Sequence, residues 1–290
     1  MAEHSHQPRF PTESLEPGTR VVLCVEYDGS AFSGWQAQPD TGGVVTVQGE
    51  VEAALSMVCA SPVRVHCAGR TDAGVHAAAQ WAHLDLQVSR SLKSLVVGGN
   101  AQLPPSVRIT DARRVPTEFH ARHSAVARRY DYLIANTRTA PALMARRALW
   151  VREFLDAHSM HEALQALLGE RDFSAFRAAS CQSTTPMRFM AQASCMRKDD
   201  YVQITLVANA FLHHMVRNIV GSACRVGTGD APVRWLGDLL AAADRTKAAA
   251  TASPDGLYLT GVRYPNEFGI PDSTQLPFLH DDDIPSMAGS

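Results

Sequence analysis

Residues 67–76 hold the side chains best suited to chemistry, Arg70 and Asp72, between Gly69 and Gly74. Glycine permits a positive φ or the close approach of another backbone, and a loop that grips a ligand needs this freedom. We expect Asp72, close to a permanently charged arginine, to be ionised and fixed in direction. An ionised carboxylate can act as a nucleophile or as a base. The competing interpretation is that Asp72 only closes its own turn, with Arg70 as its ion partner at the surface.

Two alternating patterns flank this stretch and predict the elements that position it. Apolar and polar residues alternate at 63–67 and again at 80–86, as in half-buried strands, so residues 67–76 form a strand-to-strand loop. Further strands are predicted at 20–27, 107–115, 127–134, 189–197, 201–209 and 257–264. Helices are predicted at 47–60, 91–101, 156–168, 212–226 and 233–243. The first half therefore follows a β-α-β-β-α-β order, with helices on one face of an antiparallel sheet.

Composition bounds the class of protein. The chain has 290 residues, of which 46% are hydrophobic and 19% charged, and this describes a globular protein of one large or two ordinary domains. No apolar run reaches the length that crosses a bilayer, and residues 1–18 lack the apolar segment of a signal peptide. We therefore expect a cytoplasmic protein.

Cysteine and histidine spacing predict neither a disulfide framework nor a metal site. The six cysteines include no Cys-x-x-Cys pair. His213 and His214 are adjacent on the predicted helix, where neighbouring side chains diverge by about 100°. We therefore expect no metal.

Although the formal net charge is −2, the central part of the chain is basic. The two ends are acidic, and residues 19–265 alone carry 26 Lys and Arg against 21 Asp and Glu, a net charge of +5. The surplus is concentrated at 108–152, which contains ten arginines and three acidic residues. A basic stripe of this kind suits a polyanion such as RNA, and the competing interpretation is a solvated face.

Four stretches of the chain, taken together, closely resemble the tRNA pseudouridine synthase A family. They lie in the family's order and spacing: Gly69–His76, Phe119–Arg122 followed by Ala127–Tyr130, Asn209–Gly221 and Gly256–Leu259. The opening stretches Glu26–Ser30 and Gly34–Gln36 also fit. Each stretch alone is a weak signal, and the joint match runs from residue 19 to residue 265.

The resemblance implies an α+β fold and a domain organisation. Members of the family have two similar domains, each with an antiparallel β-sheet flanked by helices, and the domains form a central basic cleft. We expect a disordered N-terminal tail at 1–18, an α/β domain with the Asp72 loop at 19–116, a second α/β domain at 117–265 and an acidic C-terminal tail at 266–290. Family members are homodimers that need no cofactor.

The implied activity is the isomerisation of uridine to pseudouridine at positions 38, 39 and 40 of the tRNA anticodon arm. By the same resemblance, Asp72 is the catalytic aspartate and Tyr130 stacks on the target base. Arg70 and Arg217 line the pocket near the nucleotide, and Leu257 packs beneath it. The stacked base must first be flipped out, at a cost of a few kcal/mol, which phosphate contacts and aromatic stacking offset.

Isomerisation breaks the N1–C1′ bond and joins C5 to C1′, so no atom enters or leaves and no redox cofactor is needed. Three routes are open to Asp72: attack on C1′, attack on C6, or removal of the C2′ proton to give a glycal. All three need an ionised carboxylate. Since the reaction needs no histidine, we expect His76, His83 and His120 to be structural hydrogen-bonding residues.

Two other functions stay open at this point. A non-catalytic RNA-binding protein would keep the basic cleft and Tyr130, although it would bind better without a carboxylate that faces phosphates. An aspartate-dependent glycoside or nucleoside hydrolase usually needs a second carboxylate to protonate the leaving group. No second carboxylate accompanies Asp72 in the four main stretches above.

Overall fold

The structure is a computed structural model that describes residues 10–37 and 43–272. Residues 1–9 of the predicted N-terminal tail and the acidic run at 281–283 lie outside this range. Within the described part of the chain, no helix is long and apolar enough to cross a membrane.

The elements follow the order that the sequence predicts, with short strands added. The strands are β1 Ser14–Leu15, β2 Arg20–Tyr27, β3 His66–Cys67, β4 His76–Asp85, β5 Arg90–Ser91, β6 Val107–Val115, β7 Ala127–Ala135, β8 Leu149–Trp150, β9 Gly169–Asp172, β10 Met187–Lys198, β11 Tyr201–Ala208 and β12 Leu257–Arg263. The helices are α1 Val47–Cys59, α2 Gly99–Gln102, α3 Ala157–Leu164, α4 Met215–Gly227 and α5 Trp235–Ala242.

One large mixed sheet carries the fold. Its strands lie in the order β6-β2-β4-β12-β7-β11-β10-β9, with β3 on β4 and β8 on β7, while β1 pairs separately with β5. Along this order every neighbouring pair is antiparallel except β4 and β12, which are parallel. The two antiparallel sheets expected from the sequence are therefore continuous with each other in a single mixed α+β architecture.

The strand register brings the predicted site residues together at the centre of this sheet. β4 begins at His76, directly after the Asp72 loop, and β12 begins at Leu257. β7 lies on the other side of β12, with Tyr130 opposite Leu259. The β4–β12 pair thus places the Asp72 loop beside Leu257, and the β12–β7 pair places Tyr130 next to them.

An apolar core runs through both halves of the chain. In α4 the predicted core face is confirmed, because Met215, Ile219, Val220 and Ala223 are all fully buried. α3 packs against β10 and α4. Its N-cap is Asp156, as predicted, and the carboxylate of this residue accepts a hydrogen bond from the backbone of the first turn. These helices hold the second half of the sheet in place beneath the site.

Two predicted helices differ from the structure. The helix predicted at 91–101 is a π-helical segment, Ser94–Gly98, followed by the short α2. α4 begins at Met215 and not at residue 212, because His214 has a φ of 61°, which lies in the left-handed region outside the α-helix. Residues 213 and 214 therefore precede the helix.

Candidate active site

The predicted site residues meet in a cleft of about 960 Å³. Asp72, Tyr130, Arg70, Arg217 and Leu257 all lie on its wall. Six arginines line the cleft: Arg64, Arg70, Arg122, Arg128, Arg188 and Arg217. Asp72 is the one carboxylate among the described residues of the lining. The cleft is therefore basic around a single acid.

The Asp72 loop packs against the segment that follows β2. The Tyr27 hydroxyl forms a buried hydrogen bond of 2.7 Å with Thr71 Oγ1, and the Trp35 amide donates to the Thr71 carbonyl at 3.1 Å. Gly34 has a φ of +91°, and a Cβ there would lie 2.6 Å from the Thr71 carbonyl oxygen. Glycine is required at this position because the two backbones touch. These contacts fix the residue that precedes Asp72.

The loop is also tied to its own strand. Gln80 in β4 donates from Nε2 to the Gly69 carbonyl at 2.5 Å, and its Oε1 accepts from the Gly69 amide at 3.4 Å. The Val75 amide donates to the Asp72 backbone carbonyl at 3.1 Å. Because the main chain closes the turn, the Asp72 carboxylate is left to face the cleft. The interpretation of Asp72 as a turn-closing side chain is therefore wrong.

The Asp72 carboxylate faces three side chains from the second half of the chain. Arg217 Nη1 lies 3.2 Å from Oδ2, His213 Nε2 lies 3.4 Å from Oδ1 and His214 Nε2 lies 3.4 Å from Oδ2. Arg70, the ion partner expected from the sequence, is exposed and does not pair with Asp72 among the described residues. Folding brings α4 to the loop, so the contact comes from a distant arginine and not from the nearest one in sequence.

Arg217 and His213 are held by contacts of their own. Arg217 lies in the first turn of α4, and its Nε donates to the Ala252 carbonyl at 2.8 Å. The Ser180 hydroxyl lies 3.0 Å from His213 Nδ1, and burial lowers the pKa of His214. The expectation that the two histidines diverge on a helix is wrong, because they precede α4 and their ring centroids lie 4.0 Å apart.

Tyr130 lines the cleft beside the carboxylate. It is 9% exposed, and its ring contacts Phe211 edge to face, with centroids 5.0 Å apart at 85°. Burial, and then the charge of Asp72, raises the pKa of the Tyr130 hydroxyl, so the phenol stays protonated at neutral pH. Leu257, the first residue of β12, is 5% exposed and adds apolar surface to the same wall.

Much of the arginine surplus at 108–152 is used inside the protein. Arg128 donates hydrogen bonds of 2.7–3.2 Å to the backbone carbonyls of Ala68, Arg122, Ala125 and Asn209. Arg129 pairs with Asp131 in a buried position. Of the ten arginines, Arg122 and Arg128 line the described cleft. The RNA-binding stripe expected from the sequence stays a prediction, although Arg128 and Arg129 use their donors within the protein.

Three histidines hydrogen bond within the fold, as expected. His76 is buried, and its Nδ1 accepts from the Gly29 amide at 3.1 Å. His83 Nδ1 accepts from the Ala121 amide at 3.2 Å. His120 Nδ1 accepts from the amide of the second residue after it at 3.1 Å. None of the three is a partner of the Asp72 carboxylate in the described part of the chain.

Sequence reasoning missed the contact of His213 and His214 with Asp72. A helix start is normally marked by Ser, Thr, Asp or Asn at the N-cap. Residues 210–214 contain none of these, so periodicity alone extended the predicted helix back to residue 212. The available signal was the pair of adjacent histidines itself, just ahead of Arg217.

Comparison with known families identifies the class of protein. A family model described as tRNA pseudouridine synthase matches residues 23–124 and 163–265. The first segment contains Arg70 and Asp72, and the second contains Arg217 and Leu257. Together with the α+β fold and the basic cleft, the match defines the chain as a tRNA pseudouridine synthase, an isomerase that modifies tRNA.

Comparison with individual relatives identifies the family within this class of enzymes. The chain is 52% identical to tRNA pseudouridine synthase A of Idiomarina loihiensis over 254 residues, which cover 88% of this chain and 96% of the relative. The enzymes of the same name from Shewanella amazonensis and Cronobacter sakazakii are each 47% identical, covering 91% and 93% of this chain and 100% of each relative. The chain belongs to the tRNA pseudouridine synthase A family and has that activity.

Proposed function

We propose that the chain isomerises uridines at positions 38, 39 and 40 of the tRNA anticodon arm, with Asp72 as the essential carboxylate acting on a flipped-out nucleotide. One observation carries the assignment of Asp72: it is the single carboxylate among the described residues of a cleft that six arginines line. The arginines attract the phosphates of the RNA. A carboxylate at this place weakens RNA binding, so its presence is explained by chemistry and not by affinity.

The residues around Asp72 take separate roles in this proposal. Tyr130 stacks on the base, an interaction that tolerates any base because every base has a π face. Arg217, 3.2 Å from the carboxylate, orients it and supplies a positive charge beside it. Arg70 is exposed on the cleft lining and contacts a backbone phosphate. Leu257 packs beneath the nucleotide.

Asp72 acts by one of the three routes that the chemistry allows: attack on C1′, attack on C6 or removal of the C2′ proton. In each route the N1–C1′ bond breaks, the base turns within the pocket and a C5–C1′ bond forms. The proton on C5 is lost and N1 gains one, so atoms balance. The apolar side chains of Tyr130 and Leu257 exclude water from the detached base and hold it for the second bond.

The site also bears on the two alternative functions. A hydrolase that cleaves a glycosidic bond with aspartate needs a second carboxylate as a proton donor, and the described lining of the cleft offers only Asp72. An RNA-binding protein without turnover gains nothing from a loop whose hydrogen bonds direct a carboxylate into the cleft. Neither alternative is supported by a contact in the structure.

Pseudouridine mapping tests the proposal. Unmodified tRNAs that keep only one uridine of the three positions are incubated with wild-type protein or with Asp72→Asn, treated with carbodiimide and read by primer extension. We expect a stop at each of the three positions with the wild type and none with the variant. Pseudouridine at other positions overturns the positional assignment, and pseudouridine made by Asp72→Asn overturns the role of Asp72.

The proposal extends to assembly and location. The family resemblance supports a cytoplasmic homodimer with similar domains at 19–116 and 117–265, and the family model also matches in two segments. Apolar side chains available to an interface are Trp150, Phe154 and Phe189, which are exposed in the single chain. Light scattering on the purified protein should give twice the mass of one chain, and a mass of one chain at micromolar concentration would contradict the dimer.

A further inference from the structure

We propose that Asp72, His213 and His214 form a binding site for a divalent transition-metal ion of the zinc class, and that the bound ion stops isomerisation. One ligand atom from each residue lies within 4.8 Å of the other two, and this is the one such group among the described residues. Two imidazoles and a carboxylate are a common ligand set for Zn²⁺. The inference rests on the proposed function, because an ion on Asp72 removes the group that acts on uridine.

The distances between ligand atoms fit a coordination shell. His213 Nε2 lies 3.4 Å from Asp72 Oδ1, and His214 Nε2 lies 3.4 Å from Asp72 Oδ2. Zinc–ligand bonds of about 2.0–2.1 Å in tetrahedral geometry separate neighbouring ligand atoms by about 3.3 Å. Because the two histidines face different oxygens of Asp72, the side chains must move for both Nε2 atoms and one carboxylate oxygen to bind one ion, and a fourth position is then left for water.

Existing contacts aim the imidazoles at this point. His214 has a left-handed φ of 61° immediately ahead of α4, and this turn of the backbone lets both side chains reach Asp72. His213 Nδ1 lies 3.0 Å from the Ser180 hydroxyl. A histidine that binds metal normally donates its other ring N–H to an oxygen, which fixes the tautomer. Ser180 can provide that oxygen: when His213 Nδ1–H donates to the hydroxyl, the Nε2 lone pair of His213 is left for the ion.

Arg217 limits the affinity of the site. Its Nη1 lies 3.2 Å from Asp72 Oδ2, and its positive charge repels a cation. Oδ1, on the side of His213, has no arginine partner among the described residues. We therefore expect reversible binding in the micromolar range, far weaker than that of a structural zinc site. Metal and tRNA compete, since both need the same carboxylate.

Calorimetric titration of the intact, metal-free protein with ZnCl₂ tests the site without reference to activity. We expect one ion per chain. His214→Gln and Asp72→Asn should each weaken zinc binding at least ~10-fold. The matched control is His123→Gln, which removes a histidine of the same cleft wall outside the group and should leave zinc affinity unchanged. Absent binding, or wild-type affinity in His214→Gln or Asp72→Asn, overturns the proposal.

Isomerase assays with ZnCl₂ then test inhibition. Zinc should inhibit the wild type, excess tRNA should relieve the inhibition, and His214→Gln should keep its own activity at zinc concentrations that stop the wild type. His213→Gln is the second variant if His214→Gln folds poorly, as circular dichroism would show. Zinc that binds these residues without slowing the reaction overturns the inhibitory role. Pseudouridine formation by Asp72→Asn would instead be a failure of the proposed function, while the zinc titration still decides the metal site.

Discussion

Asp72 and Asp131 are both aspartates beside an arginine, yet the molecule places them in opposite environments. Asp131 lies in β7 and is 1% exposed. Its carboxylate accepts hydrogen bonds from four side chains: Arg129, Gln203, Thr205 and Thr260. Asp72 lies on a loop, its side chain is 27% exposed, and its partners stand at 3.2–3.4 Å on the wall of the cleft.

The difference is the one expected between a structural acid and the reactive acid that we propose. A carboxylate whose lone pairs are all used in a buried network holds its neighbours and has none left for a substrate. A carboxylate with loose partners at a cleft wall keeps lone pairs for the substrate. Tyr130 and Asp131 are adjacent in β7, so their side chains point to opposite faces of the sheet. In β7, Tyr130 therefore lines the cleft, while the next residue, Asp131, belongs to the buried network.

Asp72→Asn should have the largest effect of any single change. The amide keeps the size of the side chain but is neither a nucleophile nor a base, so isomerisation should fall by ~10⁴-fold or more. Because the ion partners of Asp72 are partly exposed, the free energy of unfolding should change by less than ~1 kcal/mol. Tritium release from tRNA labelled at uridine C5 measures the first quantity, and urea unfolding measures the second. A strongly destabilised variant would group Asp72 with the structural acids.

Asp131→Ala should show the reverse pattern. The substitution removes the negative charge beside Arg129 and leaves the donors of Gln203 and Thr205 unmatched, which should lower the free energy of unfolding by about 3–5 kcal/mol. The folded protein should keep a kcat near that of the wild type. Asp131→Asn is the matched control and should lose less stability, since its amide oxygen still accepts hydrogen bonds. A fully folded Asp131→Asn protein without activity would contradict the purely structural role of Asp131.

The two arginines near Asp72 provide a finer test. Arg217→Gln should lower kcat/KM by ~10²-fold, because the side chain contacts the carboxylate. Arg70→Gln should raise KM and leave kcat unchanged, because Arg70 is exposed and its proposed role is to contact phosphate. Initial rates on one tRNA at fixed salt measure both variants, since phosphate contacts depend on salt. Equal losses of kcat would show that Arg70 acts on Asp72 in the presence of tRNA.

His83 is a buried base, and its pKa makes the stability of the protein depend on pH. Burial, followed by neighbouring positive charge, lowers the pKa of His83 to about 4. The groups around it are His66, His120, Arg20 and Asp85. Because the fold favours the neutral ring, its contribution to stability is complete above the ordinary pKa of about 6.5 and is lost as the pH falls toward 4. The free energy of unfolding should be about 2 kcal/mol lower at pH 5 than at pH 7.5 from this group.

The control for this effect is His83→Asn. Its Oδ1 can replace the ring Nδ1 as acceptor for the Ala121 amide, and it does not titrate in this range. Urea unfolding at the two pH values should therefore show a smaller loss of stability in the variant than in the wild type. An equal loss in both proteins would assign the pH dependence to other groups.

Local patterns were sufficient for most elements of the fold. Alternation predicts β6 because one face of that strand is buried. A run of apolar residues predicts β2, which is buried on both faces, and the apolar stripe of α4 predicts its core face. The joining of β4 to β12 could not be predicted, because it pairs residues 76–77 with 258–259 and leaves no local signature. Composition likewise could not show that Arg128 uses its donors on backbone carbonyls.

The residues selected from the sequence share one cleft, but their contacts were not predicted. The family resemblance selected Asp72, Tyr130 and Arg217, which share one cleft. Local electrostatics selected Arg70 as the partner of Asp72, whereas the partner in space is 145 positions away in sequence. Such a contact depends on how α4 packs against the loop, and periodicity carries no information about that packing.

A single-turnover experiment is the most direct test of the claim that Asp72 performs the chemistry. Wild type or Asp72→Asn, in excess over labelled tRNA, is mixed with the tRNA, and binding and pseudouridine formation are followed separately. We expect the variant to bind tRNA within ~3-fold of the wild-type affinity, or more tightly, because it removes a negative charge from a basic cleft. We expect it to form no pseudouridine. Pseudouridine formed by the bound variant at the wild-type rate would contradict the claim that Asp72 performs the chemistry.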